Sequence, residues 1–151
     1  MVEDTKKCYE ELRKKHKLPK FEELEEFNLD LESEFLLAEI RKGIAEKIQA
    51  YTNFLSEVLN PDTNLTNMYE SRIFEGEEKK EVFEVFRRLM FWKRSSLEAS
   101  VSNDNNTNAE FIKNFLSEWA GLKPRLAEAV SKVKKSWESE SEQTEKLGYF
   151  G

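Results

Sequence analysis

One cysteine and one histidine stand in a chain of 151 residues, and that scarcity closes several routes at once. Cys8 has no intrachain disulfide partner, and Cys8 with His16 cannot furnish the four Cys/His ligands of a structural zinc site. A chain that needs no disulfide predicts a reducing, cytoplasmic location. On one helix, residues eight apart are separated by about 12 Å along the axis, too far for a Cys–His nucleophilic pair. The sequence therefore assigns structural roles to both, with Cys8 half-buried and His16 exposed. Glycine is also sparse: there are 5 Gly and 3 Pro, and neither GxxxxGK[ST] nor GxGxxG occurs, which excludes the known phosphate-cradling loops. No run approaches 18 apolar residues, so no transmembrane helix is predicted. The start, MVEDTKKCYEELRKKHK, is too charged for a signal-peptide apolar core. The sequons at Asn64 and Asn105 carry no weight without secretion. No segment alternates polar and apolar residues long enough to predict a strand.

What is present is charge and aromatic bulk. Charged residues make up 36% of the chain, with a formal net charge of -6, and the hydrophobic group makes up 38%. Charge at that level accompanies disorder when apolar residues are few. Here 11 Phe, 3 Trp and 4 Tyr provide large side chains to bury. A chain this acidic is not suited to coat a nucleic acid over its whole surface, since phosphate contacts draw on Lys and Arg.

Helical periodicity runs through most of the chain. Glu3 to His16 predicts a first helix, stopped by Pro19. Phe21, Leu24 and Phe27 then mark about two turns packed inward, with Glu22, Glu23, Glu25 and Glu26 outward. The strongest pattern spans residues 32–59: Leu37, Ile40, Ile44, Ile48, Tyr51, Leu55 and Val58 recur at steps of three and four. Asn60-Pro61 ends it. Such a helix is roughly 40 Å long, well beyond the radius of gyration of about 15 Å for a compact domain of this size, so an elongated body is expected. A short helical piece over 67–74 and a long helix over 77–101 follow. Residues 102–108, SNDNNTN, predict a solvated loop, with Thr107 or Asn108 capping a helix built on Phe111, Ile112, Phe115, Leu116 and Trp119. Gly121 and Pro124 predict a break or kink, and a last helix carries Leu122, Leu126, Val130, Val133 and Trp137. The resulting fold class is all-α: a single-domain elongated helical bundle of five or six helices over residues 1–137, with a mobile polar tail over 138–151.

Chemistry-bearing patterns are few. Glu75, Glu78, Glu81 and Glu84 recur at i, i+3, as do Glu22/Glu25 and Glu23/Glu26, a spacing at which helix carboxylates can converge on Mg²⁺ or Mn²⁺. Such pairs arise readily by chance among 30 acidic residues. They leave a divalent-metal-dependent nucleotide hydrolase as one alternative, with no catalytic residue, metal ligand or cofactor assigned. More distinctive is the run RRLMFWKR. Residues 79–94 hold six cations and two acids, whereas residues 20–39 hold one cation and eight acids, a marked segregation. Arg87, Arg88, Phe91, Trp92, Lys93 and Arg94 are the predicted partner-binding residues: aromatic anchors flanked by cations that orient an acidic partner. The acidic run could instead pair with these cations within the chain. The long helix over 77–101 also has apolar residues around more than half its circumference, more than a peripheral helix needs. That excess predicts a central position or cover from another chain. The leading expectation is a non-catalytic adaptor that docks a protein partner or self-associates through this patch, with no membrane role. RNA or ribosome association through the same patch is the other alternative.

Overall fold

A computed structural model describes residues 2–24, 26–27, 35–61 and 64–138. Five α-helices are found there and no strand: α1 (Val2–His16), α2 (Leu36–Leu59), α3 (Leu65–Ser71), α4 (Glu77–Ser102) and α5 (Asn105–Ser136), with a 3-10 turn at Phe21–Leu24 between α1 and α2. The helices pack on one another as an all-α bundle. By their contacts the residues divide into two compact units. The first comprises Met1–Ala50 and Met90–Ala120, the second Tyr51–Leu89 and Gly121–Gly151.

In the first unit, α1 presents Tyr9 to the interior, where its hydroxyl donates to the Pro19 carbonyl at 2.6 Å and its ring meets Phe21 edge-on at 5.5 Å. The helix ends on Lys17, at a positive φ of 55°, and the Leu18 amide donates back to the Arg13 carbonyl. That left-handed residue closes the last turn as helix C-termini commonly do, so the chain has already turned before Pro19. Phe21, Leu24 and Phe27 are buried as their spacing predicts. Phe27 meets Phe115 edge-on, and the Trp119 indole N–H donates to Glu26 at 2.7 Å. Leu37, Ile40, Ile44 and Ile48 of α2 are all buried, together with Trp92 and Ala99 of α4 and Phe111, Ile112 and Phe115 of α5. Cys8 is exposed and His16 half-buried, the reverse of the sequence expectation. Nε2 of His16 is enclosed without a hydrogen-bond partner among the described residues.

The second unit is organised around Leu55, Val58, Val82, Val85, Leu89, Leu122, Leu126 and Val133, all buried. The Asn64 side chain accepts from the amides of Thr66 and Asn67 and so caps α3, satisfying donors that a helix start leaves open. Tyr69 is fully enclosed and its hydroxyl donates to the Ser136 carbonyl at 2.9 Å. Gly76 has φ +55° immediately before α4, a conformation that glycine adopts at little cost.

One expected interruption is absent and another is shortened. No break occurs at Gly121 or Pro124, because α5 runs unbroken through both. Both residues are exposed, and the regular apolar spacing on either side holds the helix together despite the missing Pro124 N–H. The predicted loop over 102–108 shrinks to Asn103 and Asp104. Asn103 takes φ 50°, a conformation asparagine tolerates better than most residues. Asp104, rather than Thr107 or Asn108, caps α5 by accepting the Thr107 amide at 2.7 Å. That bond holds the Asp104 carboxyl below its usual pKa. The start of the long helix predicted from residue 32, the Glu25 carboxylate and the tail beyond 138 lie outside the described residues.

Candidate functional site

All six predicted contact residues lie on α4, and the division between units falls between Leu89 and Met90. Arg87 and Arg88 belong to the second unit. Arg87 is exposed and ion-paired with Glu84 at 3.0 Å, one turn earlier. An exposed pair of this kind contributes roughly 0–1 kcal/mol. Arg88 is half-buried.

The other four belong to the first unit and face different ways. Trp92 retains only 8% exposure and its ring meets Phe111 and Phe115 edge-on at 6.1 and 5.8 Å. It is a core residue, and the expectation that it offers itself to a partner is withdrawn. Its indole N–H is enclosed and has no acceptor among the described residues. Phe91, one residue earlier, is 49% exposed, with its ring edge-on to Trp92 at 5.0 Å. Lys93 is half-buried and Arg94 exposed. The reason is geometric: adjacent helix residues project about 100° apart, so Phe91 and Trp92 cannot share one face.

The helical phase divides this part of α4 cleanly. Trp92, Ser96 and Ala99 are buried and share one side. Phe91, Arg94, Leu97, Glu98 and Val101 are exposed and occupy an arc of about 120° on the other. Leu97 is 57% and Val101 84% exposed. Sequence reasoning counted α4's apolar excess but did not single out Leu97 or Val101. Their spacing from Phe91 was the available signal.

A buried polar cluster was also missed. Arg41 is 5% exposed, donates from Nε to Asn108 Oδ1 at 2.8 Å, and donates from Nη1 to the Ser96 hydroxyl and carbonyl. Burial lowers its pKa from the ordinary arginine value. Its position was legible: residue 41 falls in register with Leu37, Ile44 and Ile48 on the buried stripe of α2.

In the second unit a cleft of about 270 Å³ lies between α4 and α5, floored by Leu55, Val82 and Val85. Glu78 and Glu81, a pair with metal-ligand spacing, line it. Glu81 pairs with Arg125 at 3.0 Å and Glu78 with Lys132. No group of three or more His, Cys, Asp or Glu is arranged to hold a metal ion among the described residues. No helix there is long and apolar enough to cross a membrane.

The chain matches no protein-family model, no curated protein and no solved structure. The outward face of α4 thus rests on its own geometry.

Proposed function

We propose that the chain is a non-catalytic helical docking module, whose contact surface is the outward face of α4 from Phe91 to Val101. The observation that carries this reading is the exposure of Phe91, Leu97 and Val101 on the side of α4 opposite its buried residues. Single exposed apolar residues are ordinary on a protein surface. Three within eleven residues, on one arc of one helix, form a stripe of the kind that marks interaction sites. Covering them removes apolar surface from water, a gain of about 25 cal/mol for each Å² buried.

The mechanism is docking. Phe91, Leu97 and Val101 act as apolar anchors. Arg94, exposed between them, orients a carboxylate on the partner and discriminates against a cation in that place. Relative to the sequence expectation, the surface loses Trp92, gains Leu97 and Val101, and leaves Arg87, Arg88 and Lys93 outside.

A photo-crosslinking amino acid at Leu97, compared with one at exposed Lys113 of α5, tests this in the cell that makes the protein. The expected result is a discrete protein adduct from position 97 and none from position 113. Absence of an adduct at 97 overturns the reading. A nuclease-sensitive adduct replaces it with RNA binding.

A further inference from the structure

We infer that the partner seated on this face is a second copy of the chain, with the two α4 helices antiparallel about a two-fold axis level with Ser96. This rests on the docking reading above and supplies the occupant. In a two-fold contact each residue meets its counterpart reciprocally, so the surface must complement itself. The outward face of α4 has that property. Arg94 and Glu98 lie two residues to either side of position 96, and Phe91 and Val101 lie five residues to either side. In an antiparallel pair centred there, Arg94 of one copy meets Glu98 of the other, and Phe91 meets Val101. Each pairing occurs twice. Leu97 lies beside the axis, next to its own counterpart.

The electrostatic state of Arg94 and Glu98 agrees with this arrangement. They are four apart on one helix, within reach of each other, yet neither has an ion-pair partner among the described residues. Their order, with the cation nearer the N-terminus, is the less favourable one for a pair within a helix. Both charges are exposed and available across an interface. The same reciprocity supplies the specificity: a parallel arrangement in register would bring Arg94 to Arg94 and Glu98 to Glu98, a repulsive juxtaposition. A contact built on one helix face is small, so a weak dimer of micromolar affinity is expected.

Sedimentation velocity on the full-length chain over roughly 1–500 µM, a range chosen for a small interface, tests the inference. The wild type should pass from monomer to dimer in that range. Arg94→Glu alone and Glu98→Arg alone should each weaken self-association by about tenfold or more, because like charges then meet twice. An equimolar mixture of these two variants should associate about as well as wild type, since each Glu then meets an Arg across the interface. Both substitutions are at exposed positions, so melting temperatures should match wild type. A wild type that stays monomeric throughout, single variants that dimerise normally, or a mixture that fails to associate overturns the inference. If a wild-type monomer accompanies a Leu97 adduct with a different protein, docking stands and self-association falls. If position 97 gives no adduct, both fall.

Discussion

Arg41 donates its Nε proton to Asn108 Oδ1 over 2.8 Å, joining residues 67 apart in sequence. This buried guanidinium is held by neutral acceptors alone, with no carboxylate against it among the described residues. Removing one acceptor from a buried charge is more damaging than removing the charge itself. Asn108→Ala should therefore destabilise the fold by about 2 kcal/mol. Arg41→Met, which keeps much of the volume and removes the desolvated charge, should do less harm. Urea unfolding of both variants checks the order. A larger loss for Arg41→Met would show that the guanidinium contributes net stability.

The Tyr9 hydroxyl gives a pH dependence of known sign. Burial raises its pKa above the ordinary tyrosine value, with Arg13 opposing the shift and Glu10, Glu22 and Glu23 adding to it. Its hydrogen bond to the Pro19 carbonyl also requires the proton. The folded chain therefore keeps the proton after the unfolded chain has lost it near pH 10. This contribution is complete below about pH 10 and declines as pH rises from there. Tyr9→Phe should lower stability by about 1 kcal/mol at neutral pH, and its deficit against wild type should narrow between about pH 10 and 11. Thermal melts across that range are the measurement. Parallel curves would contradict the assignment.

Trp92 separates a core role from a contact role. Trp92→Ala should cost about 3–5 kcal/mol in unfolding free energy. Trp92→Phe, which retains an aromatic ring against Phe111 and Phe115 and removes an enclosed indole N–H that has no acceptor among the described residues, should cost distinctly less. Chemical denaturation settles it. An alanine variant as stable as wild type would return Trp92 to the surface.

These residues also show how far sequence reasoning reaches. The buried stripe of α2 is legible because Leu37, Ile40, Ile44, Ile48, Leu55 and Val58 repeat at helical spacing and are buried, whereas Tyr51 of the same pattern is half-buried and Thr52 beside it is buried. The course of α5 is not legible, since glycine and proline lower helix propensity locally while packing on both sides decides the outcome. The short connection at Asn103–Asp104 was hidden by a run of polar residues that reads as one loop. Asn108, in the first turn of α5, is buried where it accepts from Arg41, a tertiary contact no local pattern encodes. The candidate surface was half legible. The sequence names its helix and the residues Phe91 and Arg94, while the burial of Trp92 depends on which side of α4 packs inward, which the residue run alone does not fix.

The most direct test of the α4 docking face is one substitution read two ways. Leu97→Glu places a charge at the centre of the proposed contact while adding nothing to the interior, since Leu97 already faces solvent. Thermal melting and site-specific crosslinking from Phe91 should be measured on the same preparation. The expected result is a melting temperature within about 1 °C of wild type, as for surface substitutions generally, together with loss of the crosslinked adduct. An adduct that persists, or a fold that melts earlier in step with its loss, would contradict the claim that this face binds rather than packs.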